Sequence, residues 1–380
     1  MEPGSYPRRI LVCVTGLSPQ TITETLYALA VRQQPVFVPT EIHLITTAEG
    51  ASRAELTLLD PDQGYLHRLC ADYALDATAI RFNAATIHII PDGDSAPLTD
   101  IRTLTDNEAA ADAIIAVVRE LTHDPNSAVH ASIAGGRKTM GLFLGYALSL
   151  FGRPQDRLSH VLVPTSFESH PEFFYPPRKP RVLFTRDNRP VRTDEADITL
   201  ADIPFVRLRD GLPESLLGGR ASFSETVRQA QRSLGPAELV LDSKTRRVRC
   251  AGITLALRPV EFAFLSWFAR RALAGKPGIC RTAVNPEETI EFLAEYRSLT
   301  DQLSGEYERV ERALRNGMDY AYFDQRKSLL HKHLNKALGK AGAKPYLIAS
   351  DNCRPQSCYA LTLKPQQIRF ADLDMEGELI

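Results

Sequence analysis

From residue 8 to about residue 165 the chain alternates short apolar runs with amphipathic stretches, and this alternation limits the fold more than any other feature. The apolar runs Ile10–Val14, Ile42–Thr46, Thr86–Ile90, Val129–Ile133 and His160–Val163 read as strands. Helical spacing fills the intervals at Pro19–Ala30, Ala54–Asp60, Tyr65–Tyr73, Asn107–Leu121 and Thr139–Leu150. In the helix from Asn107, for example, Ala111, Ile114, Ile115 and Val118 keep the i, i+3, i+4, i+7 pattern of one buried face. Strands and helices in alternation predict βαβ units. The expected fold class is therefore α/β, a Rossmann-like, doubly wound parallel sheet with right-handed crossovers.

The remainder divides differently. Residues 1–180 hold the alternating pattern, and 181–236 read as a linker carrying a short strand (Pro204–Leu208) and a polar helix (Ser222–Leu234). The stretch Pro171–Pro190 is rich in proline and arginine and cannot continue a helix, so a linker or extended surface strand is expected there. From Glu238 short strands appear at Leu239–Asp242, Arg247–Cys250 and Gly252–Leu255, and Pro259 opens a helix that buries Phe262, Leu265, Trp267 and Phe268. A basic helix, Arg326–Leu338, stops at Gly339, and Tyr346–Ile348 with Tyr359–Leu363 close a hairpin. This order over residues 237–370 resembles the winged helix-turn-helix of OmpR-type response regulators. It departs from that family at 275–320, a charged, largely helical insertion where the family keeps a short connection.

At 44% apolar and 24% charged residues with a formal charge of −1, the chain has the composition of a soluble globular protein. Nothing in that balance calls for a nucleic-acid coat or a membrane, so any basic site is local. No apolar run reaches the ~20 residues that a membrane span needs, and the amino-terminal residues offer no signal-peptide pattern. The six cysteines include no CxxC pair, so no metal site is expected. Cys353 and Cys358 could meet across a hairpin, but free thiols in the cytoplasm are the expectation.

Two segments carry the chemistry. Thr15-Gly16-Leu17-Ser18-Pro19-Gln20 and Ser132-Ile133-Ala134-Gly135-Gly136-Arg137-Lys138-Thr139 are both small, polar turns between a strand and a helix. In a parallel sheet such turns gather at the carboxyl edge, where ligands bind. Ser18 reads either as a helix cap or as one donor of an anion site. Gly135 and Gly136 allow close approach of a ligand, and Arg137 and Lys138 add charge, although a tight turn with two solvated cations is the plainer reading. Neither loop has the spacing of a Walker loop or of a dinucleotide fingerprint, and Thr46 and Thr47 end the second strand where an acid would bind a ribose. The pair of loops points to a phosphate-rich ligand and to no cofactor.

The first loop, followed by Thr23-Glu24-Thr25-Leu26, the second loop through Met140, and Phe167-Glu168-Ser169-His170 with Phe173-Phe174-Tyr175-Pro176 resemble three ordered motifs of a CRISPR-associated family. Its members carry a CARF domain, and it is grouped with the type III ring nucleases. The resemblance implies a cytoplasmic homodimer that binds cyclic tetra-adenylate across its two-fold axis and switches off antiviral signalling by opening the ring. In that chemistry a ribose 2′-hydroxyl attacks the adjacent phosphate without metal, leaving linear products with a 2′,3′-cyclic phosphate. By the resemblance Ser18 and Lys138 are the catalytic pair. Thr15, Gly16, Leu17, Gln20, Thr47, Ser132, Gly135, Gly136, Arg137, Thr139 and Glu168 are the expected ligand contacts. Neither loop contains a histidine, and His170 and Glu168 are only outside candidates for a base.

Two other readings compete. A ligand-gated DNA-binding regulator would use Arg326, Lys327, Lys332 and Lys336 on the basic helix, against which stand the near-zero net charge and the acidic insertion. A HEPN ribonuclease would use an arginine and a histidine with four to six residues between them, as in Arg326 with His331 or His333, but that pattern recurs by chance at Arg81–His88 and Arg153–His160.

Overall fold

The computed structural model describes residues 1–280, 286–299, 305–351 and 357–372. These form two compact units: residues 1–209 with 220–224, and 210–219 with 225 onward.

The first unit is built on a six-stranded sheet of β1 (Arg8–Val14), β2 (Glu41–Thr46), β3 (Ile87–Ile89), β4 (Ser127–Ser132), β5 (Arg157–Leu162) and, after the hairpin of β6 (Val182–Phe184) and β7 (Pro190–Arg192), β8 (Thr199–Asp202). The order is β3-β2-β1-β4-β5-β8, with β8 alone antiparallel. Every residue from Ile10 to Val14 is at most 2% exposed, as a strand covered on both faces requires. Helices α1 (Gln20–Tyr27), α2 (Ala48–Leu58) and α3 (Tyr65–Tyr73) share one core with Leu11, Cys13, Ile42 and Leu44. Helices α4 (Leu104–Leu121) and α5 (Lys138–Phe151) pack on each other, and α5 packs on β1.

Helix starts differ from expectation where a cap decides them. α4 opens three residues before Asn107, because Thr103 Oγ1 accepts from the Asp106 amide (3.1 Å) while Asp106 accepts from the Thr103 amide (2.8 Å). α2 starts at Ala48, not Ala54, since the Thr47 hydroxyl accepts from the Gly50 amide (3.4 Å).

Three further expectations are corrected. The chain from 181 is no linker: β8 adds to the main sheet, and the first unit runs to residue 209 rather than 180. Within Pro171–Pro190, Phe173, Phe174 and Tyr175 are buried, because three successive aromatic rings gain more from the core than from the surface. The strand expected at Pro204–Leu208 is absent. Pairing with β5 ends where the Ile203 amide donates to the Leu158 carbonyl (2.8 Å), and Pro204 has no N–H to extend a ladder.

In the second unit α6 (Glu214–Gly218) contacts the last helix, and the main chain after α7 (Phe223–Leu234) enters β9 (Leu239–Asp242), β10 (Arg247–Cys250) and β11 (Ile253–Ala256). With β15 (Ile368–Phe370) these give the sheet order β11-β10-β9-β15. Then come α8 (Pro259–Leu273), β12 (Ile279–Cys280), α9 (Pro286–Leu299), α10 (Glu306–Ala313), α11 (Tyr320–Ala343), β13 (Ile348–Ser350) and β14 (Cys358–Leu361). Phe262, Phe264, Trp267, Phe268, Phe292 and Phe323 form its core. The basic helix starts earlier than expected, capped by Asp319 (2.7 Å to the Tyr322 amide), and breaks as expected at Gly339, whose φ is +73°. Tyr346 lies in a turn, not a strand, and its hydroxyl accepts from the Glu238 amide (3.2 Å). Cys358 is joined to Cys280 across the β12–β14 pair, correcting the expectation of free thiols there; Cys353 lies outside the described residues, as do 281–285 and 300–304 of the insertion.

Candidate functional site

The sheet order reverses between β1 and β4. One crossover leads from β1 outward to β2, the other from β4 outward to β5, so a crevice opens at the carboxyl ends of the central pair. Both glycine-bearing loops lie there. They are pressed together: a Cβ added at Gly135 would stand 2.8 Å from Thr15 Oγ1 and Val14 O, and 2.9 Å from Thr21 Oγ1. Gly136 has φ +79°, a conformation few other residues adopt.

The cleft between the loops measures about 300 Å3. Gly16, Leu17 and Ser18 line it from the first loop, and Gly136, Arg137 and Met140 from the second. Thr47 follows β2 into it, and Thr99, Asp100 and Ile101 close it from the segment before α4.

The first loop is braced from below. Thr15 is fully buried and its hydroxyl donates to the Ser18 carbonyl (3.0 Å), as does that of Thr21 (3.2 Å). Thr46 donates to the Thr15 carbonyl (2.7 Å), and Arg53 to that of Leu17 (2.9 Å). Pro19, not Ser18, occupies the cap position of α1, and no side chain caps that helix. The Ser18 hydroxyl is therefore not used as a cap, and it sits in the cleft wall without a partner among the described residues.

The second loop supplies the charge. Arg137 donates to Asp100 (2.7 Å), which also accepts from Arg102 (3.1 Å); the hydrogen bonds from Arg102 and then Arg137 hold the Asp100 carboxyl below its usual range. Lys138 is exposed at the first position of α5, with no partner among the described residues. It stands at the positive end of the helix dipole, where an anion gains from both.

Lys138 itself and other expected contacts lie off the cleft wall. Ser132 is buried and shares a hydrogen bond with the Thr25 hydroxyl (3.1 Å). Gln20 donates to the His170 carbonyl (3.4 Å) and leaves its buried Oε1 unpartnered. Thr139 is half-buried in the first turn of α5, and Glu168 is exposed on the loop after β5. Glu168 does act on Glu24, a residue to which the sequence assigned no role. Burial, then the charge of Glu168, pushes the Glu24 carboxyl up to about 8. Asp100, Thr99, Ile101 and Met140 were also missed. Asp100 lies 37 residues from Arg137, and no local spacing links them.

The family model for CRISPR-associated protein NE0113 matches residues 18–236, more than half the chain and almost all of the unit that holds the cleft. The chain belongs to this CRISPR-associated family. No curated protein matches it.

The family match ends before the basic helix, whose four expected nucleic-acid contacts separate into two kinds. Lys327 is tied down: it pairs with Asp324 (3.0 Å) and lies 4.2 Å from the Tyr359 ring centroid. Arg326 packs over Tyr322, 4.7 Å from the centroid. Lys332 and Lys336 are exposed. His331 Nε2 accepts from the Ile348 amide (3.0 Å), and burial lowers its pKa to about 4, so the ring is neutral and engaged. The second unit has larger recesses, about 650 and 630 Å3. The first sets Glu308 and Glu311 against Arg312 and Arg315, and the second is lined mainly by small residues beside His333 and Lys336. Neither matches the donor-rich loops of the smaller cleft. Among the described residues no group of three or more His, Cys, Asp or Glu side chains is set to hold a metal ion, and no helix is long and apolar enough to cross a membrane.

Proposed function

We propose that the first unit is a CARF-type domain that binds cyclic tetra-adenylate as a homodimer and opens the ring, acting as a metal-independent ring nuclease. One observation carries this reading: β1 and β4 are neighbours, so Ser18 from the first loop and Gly136 and Arg137 from the second line one cleft, with Lys138 next in the chain. At about 300 Å3 that cleft suits roughly one nucleotide. Two clefts related by a two-fold axis would divide a four-nucleotide ring between identical protomers.

In the proposed reaction a ribose 2′-oxygen attacks its own 3′-phosphorus as the bond to the 5′-oxygen of the next nucleotide breaks. The proton leaves the 2′-hydroxyl and the departing 5′-oxygen gains one. The products are linear, with a 2′,3′-cyclic phosphate. The protein's task is to hold the in-line arrangement and to stabilise charge on the phosphoryl oxygens. Lys138 and the first amides of α5 serve the developing charge. Ser18, whose hydroxyl has no partner among the described residues, positions the phosphate or the nucleophile. Arg137 takes a neighbouring phosphate by exchanging Asp100 for it. With no histidine in the cleft, slow turnover is expected.

The test is incubation with labelled cyclic tetra-adenylate in EDTA. Linear product ending in a 2′,3′-cyclic phosphate, lost in Lys138→Ala, supports the assignment. An intact ring, bound or unbound, removes the nuclease reading.

A second reading rests on the second unit, whose sheet, α8, β12, α9, α10, α11 and β13–β14 hairpin we read as a winged helix-turn-helix with an insertion, and on Lys332 and Lys336, exposed on α11. A ring-gated DNA-binding regulator would shift duplex DNA only with the ring present, and Lys332→Glu with Lys336→Glu would abolish the shift. The engaged ring of His331 gives the ribonuclease reading no support.

A further inference from the structure

We propose that a second recess of the first unit, between α3 and residues 174–181, binds a nucleotide through its phosphate. The recess measures about 330 Å3 and shares no lining residue with the cleft already described. That volume suits one nucleotide and is too small for a ring of four.

Its walls combine two chemistries. Tyr65 and Phe174 stack with ring centroids 3.7 Å apart and planes 6° from parallel. The Arg68 guanidinium lies 5.2 Å from the centroid of Tyr65. Around this stack stand three exposed cations, Arg68, Lys179 and Arg181, none of them ion-paired among the described residues. The one carboxylate in the lining, Asp72, accepts a hydrogen bond from the Tyr175 hydroxyl (3.0 Å).

Three like charges around one recess repel each other, and a bound anion relieves that repulsion. A phosphate offers three oxygens to guanidinium groups that donate in pairs. The exposed guanidinium plane of Arg68, seated on the Tyr65–Phe174 stack, adds a flat surface on which a base can lie, which inorganic phosphate would leave unused. The frame is set before any ligand arrives. Tyr73 donates to the Pro176 carbonyl (2.6 Å), Tyr175 to Asp72, and Phe173 to Tyr175 are buried. The backbone that carries these cations therefore needs no rearrangement on binding.

The experiment is calorimetric titration of the full chain with 5′-AMP, adenosine, inorganic phosphate and a 5′-phosphorylated adenylate trimer. It is repeated on Arg68→Gln/Lys179→Gln/Arg181→Gln, whose three positions are exposed and whose fold is checked by circular dichroism. We expect 5′-AMP to bind at least tenfold more tightly than adenosine or phosphate, and the triple variant to lose at least tenfold. A trimer that binds more tightly than 5′-AMP supports the site with a strand end as its source; equal affinity supports it with a free nucleotide. Adenosine or phosphate matching 5′-AMP would overturn the proposal, as would wild-type affinity in the triple variant. So would binding that survives the triple variant and disappears in Arg137→Ala, which would locate the nucleotide in the other cleft.

Discussion

Replacing Glu24 by glutamine tests how the first unit treats a buried acid next to its loops. Glu24 is 4% exposed on α1, and its pKa is raised from the usual 4.5 to about 8, by burial first and by Glu168 second. The native state therefore holds this proton more tightly than the unfolded chain does. Between about pH 4.5 and pH 8 the native state binds more protons, so stability falls as pH rises through that window. Below the window the group contributes no penalty, and above it the penalty is complete. At 1.36 kcal/mol per unit, the shift corresponds to a ceiling of about 4–5 kcal/mol.

Glutamine keeps the shape and cannot ionise, so Glu24→Gln removes the slope. The stability of the variant relative to the wild type is expected to rise by about 1 kcal/mol per pH unit from pH 5 to 8. Taking the difference cancels every other titrating group and any fixed effect of the amide. Tryptophan fluorescence cannot read it, because the chain's one tryptophan, Trp267, is in the second unit. Hydrogen exchange followed on peptides from β1 and β4 reports the first unit directly. A difference that stays constant across this range would refute the reasoning and mean that Glu24 is not a raised, buried acid.

Gly135→Ala puts a methyl group within 2.9 Å of Val14 O and two hydroxyls, so it should cost about 1–3 kcal/mol and weaken ring binding more than tenfold. Thermal shift and fluorescence polarisation check the two effects, and unchanged affinity would show that the loops need not touch. Asp100→Asn frees Arg137 from a half-exposed ion pair, which should strengthen anion binding by about 0.5–1 kcal/mol, a few-fold in Kd; weaker binding instead would make Asp100 a ligand contact. Reducing Cys280–Cys358, separated by 78 residues, should destabilise the second unit by about 2–4 kcal/mol in urea titrations read at Trp267. Cys358→Ser should match the reduced protein and ignore reductant, and a wild type indifferent to reductant would rule the bond out.

Strand and helix order in the first unit could be read directly, because apolar runs such as Ile10–Val14 and the spacing of Ala111, Ile114, Ile115 and Val118 follow from burial, which acts locally on the pattern. Caps blurred the edges: Thr103 and Asp106 hold α4 open earlier than its apolar stripe begins. The misreading of Pro171–Pro190 has a different cause. Proline and arginine dominate its composition, yet Phe173, Phe174 and Tyr175 decide where it goes, and core packing outweighs a linker-like background. Cys280 and Cys358 stand 78 residues apart, across an insertion whose path no spacing specifies. For the cleft, residue types in the two loops were informative because a strand end followed by a helix start has little geometric freedom. Asp100 was invisible for the reverse reason: it comes from a loop whose course depends on the whole sheet.

The same distinction decides which basic residues can act. A cation's chemistry depends on what already neutralises it. Arg137 faces the cleft but is held by Asp100, so an incoming phosphate gains only the difference between two similar ion pairs. Lys327 and Arg326 looked equivalent to Lys332 in sequence, yet one pairs with Asp324 over Tyr359 and the other covers Tyr322. Lys138 is in the opposite position. It is exposed at a helix start, follows Arg137 in the second loop, and has no partner among the described residues. An anion reaching it displaces only water, so its full interaction is available to the bound state that carries most charge. Of the two cations in the second loop, Lys138 therefore has more to offer a phosphoryl group whose charge grows as the reaction proceeds.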